Sequence, residues 1–445
     1  MAKSFDKMFE KIGTWDEFIE DSKKLIGLPV GFSGPNLEGF VEETTIEPRE
    51  LTDFCPALGY DNPLYTDPRY GRSTRYGGLI AIPTFAAFLK YIMPRGALFF
   101  KPYAISTLVA GFKWEYNYVF RPGDTIKTSS MTLSQTEKKG TTGRIAFLYA
   151  GGGYWNQYKE LVATGVGGNC AIDKEAAGES IKRGEGVRDA MIYERGIYKY
   201  SKEEVDKIVA LIEGEKRRGA VPLYWEDVNV GDKLTPVVKG PLGTCDLMGW
   251  ESKSGRGLSY ACYELAYKQV SSQKGIVTGG YRSGLNTLTN WPYDISIGGH
   301  YDWEGAKSRG MPAPFDVGCF RACATGHLLS DWMGDDGFIR RVDVQFRKPS
   351  IYGDTTIFNA EVVKHYKDKV MDEEYGAVDI RIVGMNQLGE VSTPGMATVY
   401  LPSKGKPVKL PIPHDDKYED CEKYYKLCDE VREHRKTDPL WPLTC

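Results

Sequence analysis

The chain has 445 residues, with 57 lysines and arginines against 60 aspartates and glutamates and a formal net charge of −3. At about 100 to 200 residues per domain, this length predicts two or three domains. The balanced charge argues against nucleic acid as the main partner, because a surface that follows phosphates shows a basic excess.

Neither a membrane span nor a secretory leader is expected. The longest apolar stretch, Leu79 to Met93, contains Pro83 and Lys90 and falls short of the roughly 20 residues that a bilayer span needs. The N-terminus lacks the basic, apolar and small-residue succession of a signal peptide. Nine scattered cysteines without a CxxC pair favour reduced thiols and a cytoplasmic location.

An internal repeat organises the chain. The segment that begins at Tyr65 lines up with the segment that begins at His300, 235 residues later, and each precedes an apolar, helix-like run. Two further pairs repeat in the same order at offsets of 230 and 234: Asp124 with Asp354, and Thr164 with Thr398. Repeats of this length indicate two copies of one module.

Each copy has the same predicted elements in the same order. A short lead-in helix, around Leu51 or Leu247, is followed by the motif loop, then by a long apolar helix, and then by strands with period-two alternation. The long helices are expected over 80–93 and 316–333. An antiparallel sheet wrapped around one buried helix is an α+β architecture.

The repeat also predicts the domain boundaries. We expect an N-terminal module over 1–175, a connecting helical segment over 176–220, a C-terminal module over 221–402 and a charged helical tail over 403–445. The second copy carries 39 extra residues before its motif, within Lys253 to Asn290. Long insertions beside a motif loop are often lids or substrate walls, and a neutral surface excursion is the alternative.

The motif residues resemble those of a known family. The first copy reads Gly-Tyr-Asp-Asn-Pro-Leu-Tyr-Thr-Asp from Gly59 to Asp67, and the second keeps His300-Tyr-Asp302 and Ala306. This resembles the Asp-x-Asn-Pro-x-His loop of the MaoC-like (R)-specific enoyl-CoA hydratases and acyl dehydratases. The resemblance covers most of 40–175 and 223–402 and implies a double hot-dog fold.

The same resemblance implies an activity. The family adds water to the trans-2 double bond of an enoyl-CoA thioester, or removes it, without a metal or redox cofactor. Such chemistry needs a base for the water proton, an acid for the α carbon and donors for the thioester oxyanion. Carried over by position, His300 matches the family histidine and Gly318 the glycine whose N–H receives the oxyanion. In the first copy these positions are Tyr65 and Pro83.

Proline has no N–H to donate, so the resemblance makes the first copy a non-catalytic module and the second copy the candidate catalytic one. The acidic partner of His300 is open. Asp294, six residues earlier, is either that partner or an ordinary turn aspartate. Asp316 is either the N-cap of the long helix or a residue that binds substrate or water. Asp67 and Asp302 are expected to bond the loop backbone.

Several residues, and the function itself, have more than one interpretation. Arg347 and Lys348 are candidates to bind the phosphates of CoA, with plain solvent exposure as the alternative. His327, in the middle of the long helix, is expected to be an interior or interface histidine. A hot-dog acyl-CoA thioesterase and a non-catalytic acyl-CoA-binding subunit are the alternative functions. The sequence leaves open the acyl group, the physiological direction and whether two copies form a homodimer.

Overall fold

The computed structural model describes residues 12–30, 42–90, 92–94, 96–100, 103–140, 143–183, 185–253, 298–438 and 440–445. Asp294 and the insertion within Lys253 to Asn290, apart from Lys253 itself, lie outside these residues. Among the described helices, none is both long and apolar enough to cross a membrane.

The described helices differ widely in length and are often started by capping side chains. Asn62 caps the helix Pro63–Thr66, and Ser201 and Glu204 form a capping box at the start of the helix Lys202–Glu213. The helices are α1 (Trp15–Lys23), α2 (Pro48–Ala57), α3 (Pro63–Thr66), α4 (Pro68–Ser73), α5 (Ala86–Leu89), α6 (Gly178–Lys182), α7 (Lys202–Glu213), α8 (Thr244–Lys253), α9 (Trp303–Ser308), α10 (Gly318–Met333) and α11 (Tyr418–Thr437). Short 3-10 helices span Pro83–Phe85, Gly96–Phe99, Glu175–Ala177, Trp225–Asp227 and Gly298–His300.

The described strands form one antiparallel sheet. They are β1 (Glu42–Thr45), β2 (Ile105–Tyr116), β3 (Thr125–Thr128), β4 (Met131–Gly140), β5 (Gly143–Trp155), β6 (Leu161–Asp173), β7 (Val237–Lys239), β8 (Phe338–Gln345), β9 (Thr356–Val370), β10 (Glu373–Asn386) and β11 (Val391–Leu401). Their spatial order is β1-β3-β5-β6-β2-β8-β11-β10-β9-β7, with β4 beside β5. The order of the first half is mirrored in the second, as expected for two copies of one module.

The two halves of the sheet join where β2 pairs with β8, with Lys113 opposite Asp343. At Gly111 the strands come so close that a Cβ atom would lie 2.3 Å from the carbonyl oxygen of Val344. Only glycine fits such an approach. Arg340 lies buried at this seam and donates to the main-chain oxygen of Tyr116.

Helix α10 is the central helix of the second module. Apart from Trp332, all its residues are buried, and it packs against β2, β8 and β11. The expectation of an equally long helix over 80–93 is wrong. Among the described residues of that range, helical structure is limited to the 3-10 turn Pro83–Phe85 and α5, and Lys90 is already extended. Pro94 disfavours helical geometry only at the residue before it, Met93, so it limits the far end of the apolar run and does not cause the end at Leu89.

Equivalent turns confirm the repeat in detail. Asp124 accepts the N–H of Arg121 at 2.8 Å, and Asp354 accepts the N–H of Ile351 at 2.9 Å. Each carboxylate also accepts from the side-chain amide of a glutamine 33 residues later: Gln157 donates to Asp124, and Gln387 donates to Asp354. The α+β class and the double hot-dog arrangement predicted from the sequence are therefore confirmed.

Aromatic side chains of the lead-in helices pack at the starts of the two central helices. Phe54 of α2 lies 5.2 Å from Phe85, and Trp250 of α8 lies 5.5 Å from Phe320, measured between ring centroids. Phe54 and Trp250 also contact each other at 5.3 Å. Phe85 and Phe320 are 235 residues apart, so the offset read from the motif loops also holds for the central helices.

Candidate functional site

His300 ends the short turn Gly298–His300 and is half-buried. Its Nδ1 atom lies 2.7 Å from the main-chain oxygen of Phe315, and the two rings are 4.4 Å apart. A carbonyl oxygen can only accept, so Nδ1 carries the proton in the neutral ring. The lone pair is then on Nε2, the nitrogen that can take a proton from another molecule.

The loop after His300 is fixed by Asp302. Its side chain accepts the N–H of Gly305 at 2.9 Å and so caps α9. In the first module Asp67 does the same for α4, by accepting the N–H of Arg69 at 2.7 Å. The expected loop-bonding role of both aspartates is confirmed.

Gly318 is the first residue of α10, and the preceding Val317 is the N-cap without a side-chain hydrogen bond. The N–H groups of a first helical turn have no partner within the helix. Among the described residues, none accepts from the N–H of Gly318. A Cβ atom here would lie 2.9 Å from the side chain of Val109 and 3.0 Å from Phe346. Val109 belongs to β2, so the first module forms one wall of the candidate site.

Asp316 is not the N-cap of α10, and that interpretation is wrong. Its carboxylate is 4% exposed and accepts from the Nε atom of Arg321 at 2.6 Å. Burial raises the pKa of the Asp316 carboxyl above its ordinary value, and the guanidinium of Arg321 opposes that shift. The carboxylate therefore does not compete for the N–H of Gly318. Whether Asp316 binds substrate stays a prediction.

Arg347 and Lys348 follow β8 and extend their side chains at the surface. Arg347 donates to the side chain of Gln345 at 2.5 Å, and Lys348 lies 3.2 Å from Glu390. These are exposed interactions of the kind that contribute little to stability. Their role toward the phosphates of CoA stays a prediction.

The structure thus brings His300, Gly318 and Asp316 together around the start of α10. Asp294, the candidate acidic partner, lies outside the described residues. Arg321 was missed by reasoning from the sequence. The sequence did indicate that this residue is unusual, since it is an arginine within the apolar run of a predicted buried helix. A charged side chain in such a place requires a partner.

The motif loop of the first module forms a closed polar cluster instead of an open site. Tyr60 and Tyr65, at the family's Asp and His positions, are only 3% and 1% exposed. The hydroxyl of Tyr65 lies 2.9 Å from that of Ser330 at the end of α10. Tyr60 stacks on His327 at 4.0 Å and donates to Asp331 at 2.8 Å. The first module's loop is therefore filled by its own tyrosines.

We call these residues and their partners the interface cluster: Tyr60, Asn62, Glu215, Lys239, His327 and Asp331. The ammonium group of Lys239 lies 2.9 Å from Nδ1 of His327 and 2.8 Å from the main-chain oxygen of Leu58. An ammonium group can only donate, so Nε2 carries the proton and faces Asp331 at 3.2 Å. The expectation of an interior histidine at His327 is confirmed.

The cluster makes stability depend on pH. Burial, with the nearby charge of Lys239, lowers the pKa of His327 from 6.5 to about 4, although Asp331 opposes the shift. As the pH falls, His327 therefore becomes protonated near pH 6.5 in the unfolded chain but only near pH 4 in the folded chain. His327 should contribute about 3 kcal/mol above pH 6.5 that is lost as the pH falls toward 4. Urea unfolding between pH 4 and 8 measures this.

The variant that tests this assignment is His327→Gln, because glutamine does not bind or release a proton in this pH range. Its unfolding free energy should fall less steeply below pH 6.5 than that of the wild type. Burial raises the pKa of Glu215, and this opposes the trend, but it is common to both proteins and cancels in the difference. Parallel pH profiles for the two proteins would contradict the assignment to His327.

Comparison with known proteins agrees with this fold. Residues 34–165 match the family model described as a FAS1-like dehydratase domain region. No curated protein matches the chain.

Solved structures resemble the chain along most of its length. A MaoC-like dehydratase is 16% identical, covers 86% of this chain and 99% of its own, and superposes with a TM-score of 0.55. A MaoC-like dehydratase from Phytophthora capsici is 13% identical, with 85% and 98% covered and a TM-score of 0.44. A Mycobacterium tuberculosis protein described as a double hot-dog fold is 9% identical, with 84% and 96% covered and a TM-score of 0.46. The resemblance to MaoC-like dehydratases expected from the motif loops is confirmed.

Proposed function

We propose that the chain is an acyl-CoA hydratase or dehydratase, which adds water to the trans-2 double bond of an enoyl-CoA thioester or removes it. The observation that carries the proposal is the pairing of His300 with the start of α10. Nδ1 of His300 lies 2.7 Å from the main-chain oxygen of Phe315, which in the neutral ring puts the lone pair of the proposed base on Nε2. Gly318, three residues after Phe315, is the first residue of α10. Its N–H is proposed to receive the thioester oxygen.

In this proposal each group has one task. Nε2 of His300 takes a proton from the attacking water, and the oxygen of that water bonds to the β carbon of the substrate. The negative charge that develops on the thioester oxygen is stabilised by the N–H of Gly318 and by the positive end of α10. Return of that proton to the α carbon completes the addition and restores the neutral imidazole. Asp294 is the proposed acidic partner, and Arg347 and Lys348 are proposed to meet the phosphates of CoA.

Several features support the second module as the site. Only this module combines the histidine with a residue that has an N–H at the start of the central helix, since the first has Tyr65 and Pro83. Tyr60 of the first module is buried in the interface cluster, and Tyr65 is buried against Ser330. Val109 of β2 nevertheless contacts the position of Gly318, so the first module takes part by shaping the second site.

A panel of short, branched and cyclic trans-2-enoyl-CoA esters, incubated with the full chain and followed by mass spectrometry, tests the proposal. The expected result is the gain of one water, reversed when the 3-hydroxyacyl-CoA is supplied. Release of free CoA with loss of the acyl group would indicate a thioesterase instead. Intact esters across the panel, with tight binding of one of them, would contradict catalysis and favour an acyl-CoA-binding subunit.

A further inference from the structure

A buried ion pair distinguishes the second module from the first. Asp316 and Arg321 are 4% and 5% exposed, and the carboxylate Oδ2 lies 2.6 Å from the guanidinium Nε. At the offset of 235 that relates Phe85 to Phe320, the first module has Ala81 and Ala86, both buried. The same fold is therefore built in the first module with two alanines where the second has two charges.

Stability does not explain why the second module keeps these charges. Removing two charges from water costs several kcal/mol per ion, and apolar replacements of similar volume are often neutral or stabilising. The first module shows that the repeat does not require these charges, since it has alanines at the equivalent positions. A reason specific to the second module is needed, and that module also has His300 and Gly318.

Arg321 connects three segments around the start of α10. Its Nε atom donates to Asp316. Its Nη1 atom donates to the main-chain oxygen of Lys348 at 3.0 Å and to the hydroxyl of Thr393 at 3.2 Å. Its guanidinium lies 4.8 Å from the centre of the ring of Phe346. One side chain in the first turns of the helix thus fixes the strand end after β8 and the start of β11.

These contacts lead directly to the candidate catalytic groups. Asp316 follows Phe315, whose main-chain oxygen accepts the Nδ1 proton of His300. The N–H of Asp316 donates to the oxygen of Ser350 at 2.9 Å. Phe346, held against Arg321, packs beside Gly318. The ion pair therefore borders both the carbonyl that orients His300 and the glycine that begins α10.

We propose that Asp316 and Arg321 are a positioning pair for the catalytic site, an inference that rests on the function proposed above for its kinetic part. The pair fixes the main chain at Phe315 and the first turn of α10. Through them it sets the direction of the His300 lone pair and of the Gly318 N–H. In this role the pair acts through these groups, in place of the substrate contact considered for Asp316 from the sequence.

The kinetic test replaces both charges at once, by Asp316→Leu with Arg321→Met, so that no unpaired buried charge is created. We expect kcat to fall about 10- to 100-fold, as small misplacements of catalytic groups do, while KM changes less than about threefold. The matched control removes a different pair with a buried arginine, by Glu115→Leu with Arg340→Met at the seam between the two half-sheets. Its kcat should stay within about threefold of wild type.

Two kinetic results would overturn the proposal. The first is an unchanged kcat in the folded double variant, and the second is a raised KM with an unchanged kcat, which would make the pair a substrate contact. If the double variant fails to fold, Arg321→Lys replaces it. That variant keeps the charge but loses the planar fork that reaches three partners, so its kcat should also fall, and an unchanged value would overturn the proposal.

A readout without substrate separates this proposal from the proposed function. Nitrogen-15 NMR of the imidazoles, with His300 assigned through His300→Ala, reports which ring nitrogen carries the proton. The wild type should show His300 protonated at Nδ1, and the double variant should show a mixture of tautomers. An identical His300 signal in both proteins would overturn the positioning role even if no substrate is found. Inactivity of the wild type on the panel would instead count against the proposed function alone.

Discussion

Replacing His300 by alanine is expected to lower kcat/KM for hydration of an enoyl-CoA ester by about 100- to 10,000-fold. That range is the usual contribution of a general base. The reason is specific to the geometry, because the bond from Nδ1 to the oxygen of Phe315 leaves Nε2 as the nitrogen that accepts a proton. The measurement is the loss of the absorbance of the conjugated thioester, with substrate taken from the positive members of the panel.

The matched control for this variant is His365→Ala. His365 lies on β9, where its ring stacks on Trp225 at 4.1 Å and its Nε2 atom lies 2.8 Å from the oxygen of the same residue. Loss of a histidine at that position should leave the rate within about threefold. Both variants should show the far-ultraviolet circular dichroism of the wild type. A purified His300→Ala protein with near wild-type activity would exclude His300 as the base.

Much of this fold was predictable from the repeat. The offset between Tyr65 and His300 placed both motif loops and both central helices, because chain segments with the same local residues adopt the same turns. The Asp124 and Asp354 turns show this at the level of single hydrogen bonds. The length of the first central helix was not predictable in this way, since apolar residues continue after Lys90 while the backbone leaves the helical conformation at that residue.

The candidate site was only partly predictable. His300 and Gly318 followed from the resemblance of the motif loop, but the partners of buried charges lie far away in sequence. Asp316 lies two residues before α10, a position near which helix-capping side chains are common. Its carboxylate instead accepts from Arg321, the fourth residue of that helix. Lys239 lies in a short strand, 88 residues from His327, and no local pattern indicates such a contact.

Replacing Asp331 by alanine should have the largest effect on stability among the changes considered. Its carboxylate accepts from Tyr60 at 2.8 Å, faces Nε2 of His327 at 3.2 Å and lies 3.6 Å from Arg217. Removing it leaves two buried donors without their acceptor and the ammonium of Lys239 with less negative charge nearby. We expect the unfolding free energy to fall by about 3 to 5 kcal/mol, as measured by urea unfolding.

Two further variants make this result specific. Asp331→Asn keeps an oxygen that can accept from Tyr60, so its cost should be about half that of the alanine variant. Asp429→Ala removes an exposed carboxylate that pairs with Arg432, three residues later on the same helix, and should cost less than about 1 kcal/mol. A cost for Asp331→Ala as small as that for Asp429→Ala would mean that the interface cluster does not stabilise the contact between the modules. The tyrosines of the first motif loop would then need another explanation.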